Sequence, residues 1–134
     1  MRRLEQQFLE SYKKAESLCN KRFSAQYGVS EYLSRMESAA PEKRRIAGWD
    51  DTYKTLKHLR SIRTKIAHET GDSGCEKNDC LDLKNFYRSL TRKRDPLSRL
   101  ERAQGRRSIG RWFLLLFVLA LFALLAFLAW KFLF

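Results

Sequence analysis

The last part of the chain contains an unbroken apolar run. Residues 112–130 read WFLLLFVLALFALLAFLAW, nineteen residues without a charge. As a helix this run would be about 28 Å long, close to the roughly 30 Å hydrocarbon core of a bilayer. A helix in a soluble core has one apolar stripe, whereas this run is apolar on every side. Because it lies far from the N-terminus, it is not a cleaved signal peptide. We expect residues 112–134 to form a transmembrane tail anchor.

A basic cluster precedes the apolar run. Eight cations lie between residues 92 and 111, against two acidic residues. Positive charge beside a span is retained in the cytoplasm, so we expect a single pass through the cytoplasmic membrane with the N-terminal domain in the cytoplasm. The cluster would attract anionic lipid, and RNA binding by the same residues is the alternative. The residues expected to flank the membrane are Arg106, Arg107, Arg111, Trp112, Trp130 and Lys131.

The charge balance indicates a polyanionic partner. The chain has 27 basic and 15 acidic residues, a formal net charge of +12, and Lys131 is the sole charged residue after Arg111. This excess favours nucleic acid or anionic lipid without distinguishing them. The three cysteines are an odd number, and in the cytoplasm thiols stay reduced. The sequence has no Rossmann or P-loop glycine pattern, and we expect no cofactor.

The residues before the membrane run follow a helical period. Leu4, Phe8, Tyr12, Ala15 and Cys19 recur at spacings of three and four, which predicts a helix over about residues 2–22. No segment alternates with a period of two over a useful length. The sequence therefore predicts an all-α fold, a small bundle of four to five helices followed by one transmembrane helix. We divide it into a helical domain (1–104), a basic and flexible juxtamembrane linker (105–111) and the anchor (112–134).

Capping and breaking residues predict the other helices. Gly28 should interrupt the chain, and Ser30 should cap a second helix that ends near Ala40, because Pro41 disfavours helical geometry before it. A third helix should open at Asp50 or Asp51 and reach about His68. Residues 41–48 form the connection between these two helices, with room for one helical turn.

Two further helices should follow a polar loop over residues 69–80. Asp82 is the expected cap of the fourth helix, and Asp95 caps a short fifth helix with Pro96 in its first position. The residues expected on apolar faces are Tyr53, Leu56, Leu59, Ile62 and Ile66 in the third helix, Leu83, Phe86, Tyr87 and Leu90 in the fourth, and Leu97, Leu100 and Ala103 in the fifth.

One stretch of the third helix has residues suited to chemistry. Arg63 falls inside the apolar face, where a bundle would ordinarily have Leu, so its guanidinium must find an acceptor or reach a cleft. His68 follows five residues later, at the helix end. A fixed cation and a side chain that titrates near neutrality suit phosphodiester cleavage, because Arg can stabilise phosphoryl charge while His moves a proton.

The stretch LRSIRTKIAHE, after a helix opened by GWDDTYKTLK, resembles the LR-x-x-RN-x-x-AHE pattern of HEPN-like domains, with their R-x4-6-H signature. Residues 4–103, with GVSEYLSRM and RDPLSRL, look like an uncharacterised family of short bacterial and phage proteins with that signature. Active HEPN members are metal-independent endoribonucleases, in which the RNA 2′-OH attacks the adjacent phosphate in a cleft between two protomers. The resemblance implies a homodimer, an RNA substrate, catalytic residues Arg63 and His68, and supporting residues Arg60, Thr64 and Glu69. The residue after the motif Arg is usually Asn, so Thr64 departs from the pattern.

Structural roles remain open for the same residues. His68, when protonated, interacts favourably with the last carbonyls of a helix. Arg63 could pair with a carboxylate, such as Glu69 or one on the first helix, and only fix the register of the bundle. Many HEPN-like domains are also non-catalytic and act in binding or dimerisation.

Other residue types that often bind ligands are expected to be structural. Cys75 and Cys80 with His68 or Asp79 give a weak zinc signal, because no second Cys or His pair accompanies them, so we expect no metal. His58 should be a solvated helix residue. The aromatic residues expected in the core rather than as base-stacking platforms are Tyr12, Tyr32, Tyr53, Phe86 and Tyr87.

These features lead to three functional hypotheses. The first is a membrane-anchored HEPN-like endoribonuclease of antiphage defence, or a toxin that a neutralising or trigger protein would control. The second is a non-enzymatic membrane-tethered adaptor that binds a protein partner, RNA or anionic lipid. The third, that the apolar helix itself makes the membrane leak, is disfavoured because the helix has no polar stripe.

Overall fold

A computed structural model describes residues 2–68 and 71–134, apart from the side chain of Lys43. Over this range the chain is all-α, without a strand, as the periodicity predicted. The elements are α1 (Arg3–Phe23), α2 (Gly28–Ser38), a 3-10 helix (Pro41–Arg45), α3 (Trp49–His68), α4 (Lys77–Thr91) and α5 (Pro96–Leu133). The chain divides into two compact units, residues 1–100 and 101–134.

The first unit is a helical bundle around one apolar core. α1 packs mainly against α2 and α4, and α2 packs against α3. Each helix contributes one face, because apolar residues at spacings of three and four fall on one side of a helix. The buried hydrophobic residues are Phe8, Tyr12, Ala15, Cys19, Val29, Tyr32, Leu33, Met36, Trp49, Leu56, Leu59, Ile62, Cys80, Leu83, Phe86 and Leu97.

The predicted faces of α1 and α3 are confirmed. Phe8, Tyr12, Ala15 and Cys19 are all buried, as are the three central residues of the α3 face, while Tyr53 and Ile66 at its ends are half-buried. The predicted helical turn in the connection is also present, as the 3-10 helix.

The predicted start of α2 is wrong. Gly28 is the first residue of the helix rather than a break before it, and Ser30 lies one turn inside. The backbone N–H of Gly28 donates a 2.6 Å hydrogen bond to Oδ1 of Asn20 on α1. A Cβ at this glycine would lie 2.4 Å from the backbone nitrogen of Asn20 and 2.5 Å from Cβ of Cys19. α2 therefore begins where glycine permits close approach to α1, with its cap supplied by another helix.

α4 begins earlier than predicted. It starts at Lys77, so Asp82 lies inside the helix and residues 77–80 are not loop. At this start the backbone N–H of Glu76 donates to Oδ2 of Asp79 at 2.7 Å, and the backbone N–H of Asp79 donates to the carbonyl of Glu76 at 3.1 Å. Tyr87, expected in the core, is instead 37% exposed.

The Asp95 cap of α5 is confirmed. The backbone N–H of Ser98 donates to Oδ2 of Asp95, and Pro96 occupies the first helical position. The expected flexible joint at residues 105–111 is instead helical, because two isolated glycines cost only about 1 kcal/mol each and their neighbours are mostly good helix formers. Ala103, expected to line the short fifth helix, is exposed.

The second unit is a helix that buries nothing. Every residue from 101 to 134 is exposed. Its apolar stretch contains an 18-residue window with a mean hydropathy of 2.9. By length and composition, this helix is able to cross a membrane.

Candidate functional site

Arg63 lies between α3 and α1. Its helical position places it beside Leu59 and Ile62, which are buried, and its own side chain is half-buried. Arg63 and Arg60 are close enough to the Tyr12 phenol of α1 to act on its pKa. The arginine is thus half-buried at the edge of the core.

The Tyr12 hydroxyl stays protonated in this setting. Burial, with the Glu16 carboxylate nearby, raises the pKa of Tyr12 to about 12, and the two arginines only partly oppose that rise. Tyr12 is therefore a neutral phenol rather than a phenolate. Arg63 makes no hydrogen bond or ion pair with another residue in the described ranges.

His68 lies apart from Arg63 within one chain. It is the last residue of α3 and is exposed. At about 100° per residue, five residues turn the helix through about 140° beyond a full turn, so the two side chains leave α3 in different directions. No hydrogen bond joins the two side chains among the described residues. Glu69, the expected supporting carboxylate, lies outside the described residues.

The two other supporting residues have ordinary surroundings. Oγ1 of Thr64 donates a 3.0 Å hydrogen bond to the backbone carbonyl of Arg60, one turn earlier. This is a common helix-internal bond for Thr, and it occupies the hydroxyl proton that the motif position would offer to a substrate. The Arg60 side chain is exposed.

A buried polar network, which the sequence did not predict, joins α1, α2 and the start of α5. Asp95 is fully buried and accepts hydrogen bonds from Arg22 at 2.9 Å, from the Tyr32 hydroxyl at 2.7 Å and from the Ser98 hydroxyl at 2.6 Å. Burial alone would raise the pKa of Asp95, but the bonds from Ser98, Tyr32 and Arg22 outweigh it and hold that pKa below its ordinary value. A carboxylate with this many donors is satisfied, so the network stabilises the fold rather than offering a reactive group.

A second polar cluster surrounds the start of α4. Nε2 of His58 lies 3.0 Å from Oδ1 of buried Asp79, so His58 is not simply solvated, although its side chain is 60% exposed. Burial, with Cys80 and Asp79 nearby, raises the pKa of Cys75 to about 12, so this thiol stays protonated at neutral pH. Within the described residues no group of three His, Cys, Asp or Glu side chains could hold a metal ion.

The expected membrane-flanking residues all lie on the helix of the second unit. Each is exposed there, and the two tryptophans are about 27 Å apart along the axis, since they are 18 residues apart. These residues are Arg106, Arg107, Arg111, Trp112, Trp130 and Lys131.

A groove between α1 and α4 also lies on the surface of the bundle, with a volume of about 370 Å³. Its lining residues are Ser11, Lys14, Leu83, Lys84, Tyr87, Arg88, Thr91 and Arg92. The groove was not predicted from the sequence, because its cations come from two helices that are far apart in the chain. The sequence does have Lys84, Arg88 and Arg92 at four-residue intervals, a spacing that predicts a row of cations along one side of a helix.

Comparison with known proteins places the chain in a family without an assigned activity. Residues 6–112 match the model of a family of unknown function (DUF6548), and the chain belongs to that family. No curated protein and no solved structure matches it. The match covers all of the bundle except the first residues of α1, together with the basic flank, and it ends where the apolar run begins.

Proposed function

We propose that this member of the family is a membrane-anchored helical binding module. The observation that carries the proposal is the apolar stretch of α5, whose 18-residue window is entirely unburied in the chain itself. Contiguous apolar surface of this size is not left in water by soluble proteins, and a bilayer would cover it. The bundle of residues 1–100 has its own core and would be held at the membrane surface.

The flanking charges support an orientation with the bundle in the cytoplasm. Arg106, Arg107 and Arg111 precede the apolar stretch, whereas only Lys131 follows it. Cations in short segments beside a span are retained on the cytoplasmic side. Trp112 and Trp130 would lie at the two interfaces, where amphipathic rings are favoured.

Binding rather than catalysis is favoured by the surroundings of the motif residues. Arg63 and His68 leave α3 in different directions, and the Thr64 hydroxyl is bonded within its own helix. The two buried carboxylates described above, Asp95 and Asp79, are each held by several polar groups. Those contacts stabilise helix starts and leave neither carboxylate available as a general base.

Membrane anchoring and orientation are tested by fractionation. We expect the full chain to remain in membranes after alkaline extraction and the chain without residues 112–134 to be soluble. In vesicles of defined sidedness, added protease should digest the bundle when the cytoplasmic face is outside and spare it when that face is inside. A full chain that alkali extracts, or a bundle digested with the opposite sidedness, would contradict the proposal.

A second candidate function is a metal-independent endoribonuclease, and the position of Arg63 favours it. A guanidinium at the edge of the core without a carboxylate partner among the described residues is available to a phosphate. Catalysis would then need His68 from a second protomer, so that the site is composite. Such an enzyme would suit antiphage defence or a controlled toxin.

The two candidates are separated by an RNA cleavage assay. The full chain in lipid nanodiscs is incubated with a mixed RNA pool in EDTA, beside Arg63→Ala, His68→Ala and the matched control His58→Ala. A binding module leaves the RNA intact in all four samples. Cleavage that survives His58→Ala but is lost in the other two variants would establish the ribonuclease and end the case for a module without catalysis.

A further inference from the structure

The groove between α1 and α4 combines an apolar floor with a basic rim. Leu83 is buried at its base, and the ring of Tyr87 is 37% exposed beside it. Lys14 projects from α1, on the opposite side of the groove from the cations of α4. A volume of about 370 Å³ falls within the range of small-ligand sites.

The rim is uniformly positive. Lys84, Arg88 and Arg92 follow one another at four-residue intervals, so they form a row along α4 with steps of about 6 Å. No acidic residue is among those that line the groove. The side chains of Lys14, Lys84, Arg88 and Arg92 make no ion pair with any described residue. A fixed row of cations without counter-charges favours a ligand with anionic groups along its length.

The exposed ring of Tyr87 favours one class of anionic ligand over the others. A chain of phosphates needs only cations, and an anionic lipid surface needs no aromatic ring between them. A single-stranded nucleic acid has both a phosphate backbone and bases whose faces stack on aromatic side chains. Tyr87 lines the same groove as Lys84 and Arg88, so a base stacked on its ring would have its phosphate near the basic row.

We propose that the α1/α4 groove binds single-stranded RNA, with Lys14, Lys84, Arg88 and Arg92 on the phosphates and Tyr87 stacked on a base. The inference deepens the proposed function and rests on it, because it names the ligand of the binding module. It shares no residue with the Arg63 and His68 pair, so it holds whether or not the chain cleaves RNA.

The test measures binding of a fluorescently labelled oligouridylate of about 12 nucleotides, a length within the usual site size of single-strand binders. The full chain is held in nanodiscs of uncharged lipid with EDTA present. Lys84→Gln with Arg88→Gln is compared with Lys54→Gln and Arg45→Gln, an exposed pair outside the groove. Tyr87→Leu is compared with Tyr27→Leu, since Tyr27 is 63% exposed at the start of α2.

We expect the groove pair to weaken binding at least tenfold and to lower the salt slope by about 1.4, because single strands release about 0.7 counterion for each neutralised phosphate. Tyr87→Leu should weaken binding by about tenfold through lost stacking. Both controls should change it less than threefold. All four variants alter exposed side chains, and unchanged circular dichroism checks that the bundle remains folded.

Several outcomes would overturn the inference. RNA that does not bind, or that loses affinity equally in the control pair, would mean that the groove is not the site. Binding of phosphatidylserine vesicles, but not RNA, that depends on Lys84 and Arg88 would assign the groove to lipid instead. If the wild-type chain cleaves the RNA, binding is read with the His68→Ala protein. Such cleavage would contradict the proposal of a module without catalysis, whereas the groove proposal would still be tested by the Lys84, Arg88 and Tyr87 variants.

Discussion

In residues 1–100 each helix buries one apolar face against its neighbours, whereas from residue 101 to 134 no residue is buried at all. Both units are helical, and both contain Leu, Phe and Ala. They differ in pattern, because polar residues interrupt the bundle helices every few positions and never interrupt residues 112–130. The bundle helices cover one another's apolar faces, whereas the apolar stretch of α5 is left uncovered within the described chain, as a helix able to cross a membrane would be.

The largest effect that separates the units is expected at Asp95. Asp95→Ala would leave Arg22, Tyr32 and Ser98 without their acceptor, and removing one member of a buried ion pair costs about 3–5 kcal/mol. Urea unfolding, followed by Trp49 fluorescence with Trp112 and Trp130 replaced by Phe, measures the loss. A change below 1 kcal/mol would mean that the network does not hold the bundle together.

The same carboxylate should make bundle stability depend on pH. Its pKa is below the ordinary value in the folded chain, so its contribution is complete above the unfolded pKa of about 3.9 and is lost as pH falls through the folded pKa. Wild-type unfolding free energy should therefore decline below about pH 4, and that of Asp95→Asn should decline less. Parallel curves for the two proteins would place the acid sensitivity elsewhere.

Leu59 in the bundle and Leu119 in the second unit allow the two units to be compared directly. Leu59 is fully buried in the bundle, and Leu59→Ala should cost about 2–5 kcal/mol of bundle stability, through lost burial and the cavity that remains. Leu119 is 65% exposed in the second unit, and Leu119→Ala should leave bundle unfolding unchanged in the same assay. Equal effects of the two substitutions would break the division into independent units.

Replacing a glycine by alanine should destabilise the bundle at Gly28 but stabilise the helix of the second unit at Gly105. Gly28→Ala forces a Cβ against the backbone of α1 and should cost about 1–3 kcal/mol, because neither helix can yield without losing contacts. Gly105→Ala meets nothing within 4 Å and should strengthen its helix by about 0.5–1 kcal/mol. Unfolding measures the first, and slower amide hydrogen exchange over residues 101–111 measures the second.

The smallest effect is expected at the surface of the bundle. Arg2 and Asp72 form an ion pair at 3.2 Å, with side chains 71% and 67% exposed. Exposed pairs contribute little, so Asp72→Ala should change stability by less than about 1 kcal/mol. It therefore serves as the charge-removal control for Asp95→Ala, and a comparable loss in both would remove the distinction between buried and exposed pairs.

Helix periodicity was enough to predict the bundle, the faces of α1 and α3, and the apolar helix. The start of α2, which periodicity did not predict, depends on a contact with another part of the chain. Gly28 begins α2 because Asn20 caps it from another helix, and such tertiary caps leave no local pattern. The Glu76 and Asp79 pair that opens α4 was visible in the sequence, but it fell within a stretch taken for a loop.

The site was less predictable than the fold. Arg63 is half-buried beside the core, and its five-residue spacing from His68 already implies that the two side chains leave α3 in different directions once both lie in one helix. The groove cations and the partners of Asp95 come from helices more than 60 residues apart, which no short motif records. Whether Arg63 and His68 act together stays a prediction.

The bond from Gly28 to Asn20 has a consequence for how quickly the bundle forms. It joins residues eight positions apart, so closing it requires only a short loop and little chain entropy. Contacts this local form early in folding, before those that bring α1 and α4 together across more than 50 intervening residues. A substitution at Asn20 should therefore slow folding more than it accelerates unfolding, whereas one on the α4 side of the core should do the reverse.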